Sequence, residues 1–293
     1  MKVLIPTDGS ADAQAAMQTA LRLLSPADRH LDLLCVAPSY QKGAARKTYE
    51  QRILSETTEI LERARAQITG NGAAVHLVTA VGSAAAAIVS RAPDYDLTVI
   101  GAKGRGAGAN VGLGPVASRV VEHVAAPVLI GRELRSETGS RVLIAVDGST
   151  ASLSAVETLA SLFDLRNCSV TLMHVAETPW IHLGLDENWE TFDEEDKERS
   201  EAGAFEKQMT RDGELIIERA RDVLRASGCA VETSVNEGNP SDEILSEADR
   251  GQYDLIVVGA SGTRDLKHSM LGSVSAKIAW NAPCSVLIVR EPL

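Results

Sequence analysis

The sequence predicts an α/β protein made of two tandem doubly wound domains, each a five-stranded parallel sheet sandwiched by helices. Three observations carry this. The chain repeats itself: "KVLIPTDGS" at 2–10 returns as "RVLIAVDGS" at 141–149, "YDLTVIGAKG" at 95–104 as "YDLIVVGASG" at 253–262, and "PVLIGRE" at 127–133 as "SVLIVRE" at 285–291. Its apolar runs are short and continuous, as "LIVVG" is, which suits strands covered on both faces. Those runs alternate with helical patterns, the order that gives right-handed βαβ crossovers.

In the first copy, strands are expected at 2–6, 31–36, 74–79, 96–101 and 127–131, with helices at 10–24, 44–69, 83–91 and 115–124. In the second, strands are expected at 141–146, 169–175, 229–235, 254–259 and 285–290, with helices at 150–163, 207–226, 240–249 and 273–281. The first repeated segment is offset by 139 residues and the other two by 158, so the second copy carries a net insertion of 19. The polar stretch "LRSETGS" at 134–140 reads as a linker. The expected division is a domain at 1–133, the linker at 134–140 and a domain at 141–293. Each half is a five-stranded, Rossmann-like unit, and 293 residues accommodate two cores of about 140 each.

Composition narrows the function. With 44% hydrophobic and 24% charged residues the chain is globular, and with 3% aromatics its core rests on Val, Ile, Leu and Ala. A net charge of −11 argues against general binding to nucleic acid or to anionic membranes. No apolar run nears the roughly 18 residues of a membrane span. "MKVLIPTDGS" runs straight into a strand, so no signal peptide is expected. Cys35, Cys168, Cys229 and Cys284 are isolated in sequence and read as reduced thiols packing as small hydrophobes in a cytoplasmic protein. No C-x-x-C motif or Cys/His cluster suggests a metal.

The chemistry is expected where ligands bind in open parallel sheets, beyond the carboxyl ends of the strands. In the second copy, Asp147-Gly148-Ser149 follows the first strand, Gly259 and Gly262 follow the fourth, and Gly272-Ser273 opens the last helix. The spacing is G-x2-G-x9-G-S. Glycine lets backbone come close to a bulky anion, and amides at a helix start, aided by its dipole, favour phosphate. Hydroxyls of Ser273 and Ser275 add donors, and Arg264 or Lys267 would supply positive charge. No G-x-x-x-x-G-K-[ST] occurs, and "GLGPVA" at 112–117 has no acidic partner placed for a ribose.

These residues resemble the universal stress protein family: Asp-Gly-Ser after the first strand, G-x2-G-x9-G-S, and the final strand "VLIV". The resemblance covers essentially the whole chain twice, as in a tandem-domain member, and implies the HUP-type Rossmann-like fold. It further implies ATP, an adenine nucleotide, and Asp147, near the phosphates, is placed to hold Mg²⁺. The residues it implicates are Ala145, Asp147, Val175, Gly259, Gly262, Gly272, Ser273, Val274 and Ser275. The family usually has proline where Ala145 stands. Relatives of one domain commonly dimerise through the edge carrying the final strand. Here that implies an intrachain pseudo-dimer, with a homodimer of the whole chain left open.

The first copy keeps Asp8, Gly101, Gly104 and Gly114 as a weaker second site, but Pro115 replaces the serine. Proline suits the first helical position, yet it removes an amide and a hydroxyl, so this site is expected weak or empty and its domain mainly structural. Lys103 and Arg105 would compensate by charge. Residues 177–207 hold 11 acidic residues against 3 basic, with Trp180, Trp189, Phe192 and Phe205, and read either as a docking flap or as a solvated approach to the next helix. No nucleophile with its base, and no carboxylate pair, declares an enzyme. The leading expectation is a cytoplasmic stress-response module that binds ATP in its second domain. The alternatives are a non-nucleotide scaffold for a protein or apolar ligand, and a weak ATPase.

Overall fold

The structure, a computed structural model, describes residues 1–26, 29–39, 46–68, 73–105, 112–135, 139–177, 201–262 and 271–291. The first half runs β1 Lys2–Pro6, α1 Ala11–Leu23, β2 His30–Ala37, α2 Arg46–Ile68, β3 Ala74–Val81, α3 Ala84–Arg91, β4 Leu97–Gly101, α4 Pro115–His123 and β5 Val128–Gly131. The second runs β6 Ser140–Ala145, α5 Thr150–Leu162, β7 Cys168–Ala176, α6 Glu201–Leu224, β8 Ala230–Glu237, α7 Pro240–Arg250, β9 Leu255–Gly259, α8 Ser273–Asn281 and β10 Ser285–Val289. Every expected element is present, most within two residues of its expected ends. The exception is α6, which starts at Glu201 rather than 207. The acidic character of that stretch reads as loop, but Glu, Ala and Lys are strong helix formers.

Within each half all strand pairs are parallel, yet the two sheets are not separate. The order is β3-β2-β1-β4-β5-β10-β9-β6-β7-β8, one ten-stranded sheet. β5 and β10 meet antiparallel, Val128 facing Ile288 and Ile130 facing Val286. The expectation of two five-stranded parallel sheets is thus extended, since the final strand of each half occupies the other's open edge. An unpaired edge of such apolar strands would invite aggregation.

Helices α1, α2, α5 and α6 bury one apolar cluster against one face of this sheet. Helices α3, α4, α7 and α8 bury a second against the other. Both clusters run through both halves, so the halves share their cores.

A pseudo-twofold pair of arginines closes the seam. Arg132, just past β5, donates to the carbonyls of Cys284 at 2.9 Å and Ala279 at 3.1 Å, at the end of α8. Its repeat partner Arg290, past β10, donates to those of Val124, Val121 and Glu122 at 2.8–2.9 Å, at the end of α4. Each half's arginine therefore caps the carboxyl end of the other half's last helix, where carbonyls lack helical partners and the dipole favours a cation. Burial pushes both guanidinium groups below the ordinary arginine value.

The repeated Tyr-Asp pair has a structural duty. Asp96 accepts the Lys2 amide at 2.7 Å and Asp254 the Arg141 amide at 2.9 Å, each fixing the start of its half's first strand. Asp254 also accepts the Arg135 amide at 2.9 Å, so one carboxylate ties both ends of the inter-half connection.

Candidate functional site

A cleft of about 390 Å³ opens at the carboxyl ends of β6, β7 and β9. All nine residues singled out in the second half line it: Ala145, Asp147, Val175, Gly259, Gly262, Gly272, Ser273, Val274 and Ser275. They converge because β6, β7 and β9 lie side by side in the sheet and all end at the same edge.

The turn after β6 needs a glycine, since Gly148 sits at φ +81, as Gly9 does at φ +76 after β1. Ser149 then caps α5, its hydroxyl accepting the Ser152 amide at 3.1 Å. Asp147 is not itself the cap. Its carboxylate accepts both the amide of Ser149 at 3.0 Å and its hydroxyl at 2.5 Å, orienting the capping residue. The other carboxylate oxygen approaches the glycine loop: a Cβ on Gly262 would lie 2.9 Å from it.

Gly259 has a different reason. A Cβ there would lie 2.7 Å from the backbone of Ala151 and Ser152, so α5 packs directly on the end of β9. Gly272 is the N-cap of α8 at an ordinary φ of −64, and its amide donates to the Ala260 carbonyl at 2.7 Å, folding the loop back. The first helical bond runs from Ala276 to Gly272. The amides of Ser273, Val274 and Ser275 therefore precede the helical ladder, and no side chain caps them.

The Ser275 hydroxyl is committed elsewhere, contrary to its expected role as a donor toward the cleft. It is buried and donates to the Gly259 carbonyl at 2.5 Å, pinning α8 to β9. Arg264 and Lys267 fall outside the described residues, as do residues 178–200 of the acidic stretch 177–207, expected either as a docking flap or as a solvated approach to the next helix.

Sequence reasoning missed His174, Met209, Asp212, Pro240 and Ile244 in the lining. His174 donates from Nδ1 to the Val146 carbonyl at 2.8 Å. In the sheet register Ala145 faces Met173 as Pro6 faces Leu34, so Cys35 occupies the corresponding place in the first half. That comparison between copies is the signal that marks position 174.

The first half arranges its Asp8, Gly101, Gly104 and Gly114 in the same way. Asp8 accepts the amides of Ser10 at 2.9 Å and Arg105 at 2.8 Å. A Cβ on Gly104 would lie 2.8 Å from Asp8, and one on Gly101 would meet α1 backbone at 2.7 Å. The Arg105 guanidinium folds back over the Asp-Gly turn, 3.0 Å from where a Cβ on Gly9 would stand. α4 begins with Pro115 after its N-cap Gly114, so one of the three amides offered by α8 has no counterpart.

A Rossmann-like sheet in each half, the two joined by an antiparallel seam, defines the class: a tandem Rossmann-like α/β protein. The model of the universal stress protein family matches residues 1–132 and again 139–290. The chain belongs to that family, as a two-repeat member. It is similar to the universal stress protein YxiE of Bacillus subtilis, 31% identical over 155 residues, covering 52% of this chain and 99% of that one. A universal stress protein of Mycolicibacterium smegmatis is 26% identical over 305 residues, covering 98% of this chain and 96% of its own. Its fold is shared by a universal stress protein from Archaeoglobus fulgidus, with a TM-score of 0.67 and 18% identity over 99% of this chain and 98% of that one. Among the described residues no helix is long and apolar enough to cross a membrane.

Proposed function

We propose that the cleft of the second half binds an adenine nucleotide, ATP, and that the chain acts in the cytoplasm as a nucleotide-dependent regulatory module in stress response. The observation that carries this is the start of α8. The amides of Ser273, Val274 and Ser275 stand ahead of the first helical bond, without a side-chain cap, in the wall of a cleft. Such amides favour phosphate, aided by the helix dipole.

The rest of the lining fits the remainder of the molecule. Ala145, Val175, Ile244 and Val258 offer an apolar slot for a flat base. Glycine at 262 lets the phosphates approach loop backbone beside Asp147. A Mg²⁺ ion would have Asp147 as its carboxylate at the glycine loop and would take further ligands from phosphate and water. Among the described residues no group of three His, Cys, Asp or Glu side chains comes together. The proposed role is nucleotide binding, with slow ATP hydrolysis as the second reading, and no cleft residue is assigned a catalytic role.

The first half is proposed as structural. Pro115 replaces the residue equivalent to Ser273, so one amide and one hydroxyl are missing at the start of α4. Calorimetric titration with ATP should return one site per chain; two equivalent tight sites would overturn the assignment of the first half.

A further inference from the structure

The starts of β7 and β8 carry two thiols that the cleft does not use. These strands pair in parallel from Ser169 with Ala230 to Ala176 with Glu237. One step back along that register, Cys168 stands beside Cys229. Both pack against the same apolar cluster, so both side chains emerge on one face of the sheet. Both are free and half-buried, whereas Cys35 in β2 and Cys284 just before β10 are buried, 4% and 1% exposed.

Neighbouring strands lie about 4.8 Å apart, inside the range of about 4.4–6.8 Å that a disulfide spans between Cα atoms. Cys229 also lies one residue before β8 begins, next to Gly228 at φ +67. That placement leaves it outside the regular ladder and able to adjust. A Cβ on Gly228 would meet nothing within 4 Å, so the approach from that side is open, and β8 is the outermost strand.

We propose that Cys168 and Cys229 are a redox pair that closes into a reversible disulfide when the protein meets a peroxide. The Cys229 sulfur attacks one peroxide oxygen, the O–O bond breaks, and a sulfenic acid and one water result. The Cys168 sulfur then attacks the sulfenic sulfur, forming the S–S bond and releasing the second water. Two thiols lose two protons and two electrons, and hydrogen peroxide is reduced to two waters. Burial pushes both thiols up, Cys168 to about 11 with the Asp164 carboxylate and Cys229 beside it. The pair is therefore slow with mild reagents at neutral pH and answers to sustained oxidant.

The bond would join the amino ends of β7 and β8, at the edge of the sheet away from the cleft, and enclose β7 and α6 in one covalent loop. Closing so long a loop constrains the unfolded chain, so oxidation should raise Tm by several degrees while leaving the cleft open.

The test is treatment of the full-length folded protein with hydrogen peroxide, alkylation of remaining thiols, and peptide mass mapping. The expected result is a linked Cys168–Cys229 peptide that dithiothreitol releases, with Cys35 and Cys284 alkylated, and a Tm rise that Cys168→Ser and Cys229→Ser each abolish. Cys229→Ala, checked for native circular dichroism, guards against a misfolded serine variant. Sulfinic acid at either cysteine with no linked peptide, or bridges formed only between chains, would overturn the proposal.

Discussion

At the scale of single residues, Asp147 and Asp8 both approach the glycine loop of their own half, and Asp8 accepts the Arg105 amide there. Burial pushes the Asp8 carboxyl up, but hydrogen bonds from Ser10 and the Arg105 amide outweigh it and hold the group below the usual carboxylate range. A depressed carboxyl contributes stability that is fully present above its unfolded value, about 3.9, and is lost as pH falls through the folded one. Asp8→Asn should therefore lower Tm at pH 6 and make the acid fall-off below about pH 4 shallower than in the wild type. Parallel pH profiles for the two proteins would refute this.

At the scale of elements, the periodic and continuous apolar runs made strands and helices legible, because a parallel sheet covered on both sides admits little else. The glycine motif was legible as a place, and all nine residues do line one cleft. What stayed hidden was the division of labour inside it. Spacing alone does not say that Gly259 admits α5 backbone, that Gly272 spends its amide on Ala260, or that the Ser275 hydroxyl turns inward. Nor does the sequence reveal Arg132 and Arg290 as caps on each other's helices, since the repeat gives their equivalence but not the seam that brings them there. Arg290→Ala should cost about 1–3 kcal/mol for each carbonyl of α4 left without a partner. A denaturation midpoint indistinguishable from wild type would deny the clasp an energetic role.

At the scale of the whole molecule, duplication has produced one body. Ten strands form one sheet, and each of two apolar clusters draws on both halves. Unfolding one half would expose the seam strand and part of both cores of the other. Calorimetry should accordingly record one unfolding transition in which calorimetric and van't Hoff enthalpies agree. Two resolved transitions would mean that the halves fold independently.

If the backbone amides opening α8 hold the nucleotide, as proposed, Ser273→Pro must weaken its binding. Proline at the first helical position keeps the helix, as Pro115 does for α4, and removes one amide and one hydroxyl. Hydrogen bonds to a charged group contribute about 1.5–3 kcal/mol each. Titration of ATP into the folded variant should therefore show affinity lower by about one to four orders of magnitude. Unchanged affinity and stoichiometry in that variant would contradict the account.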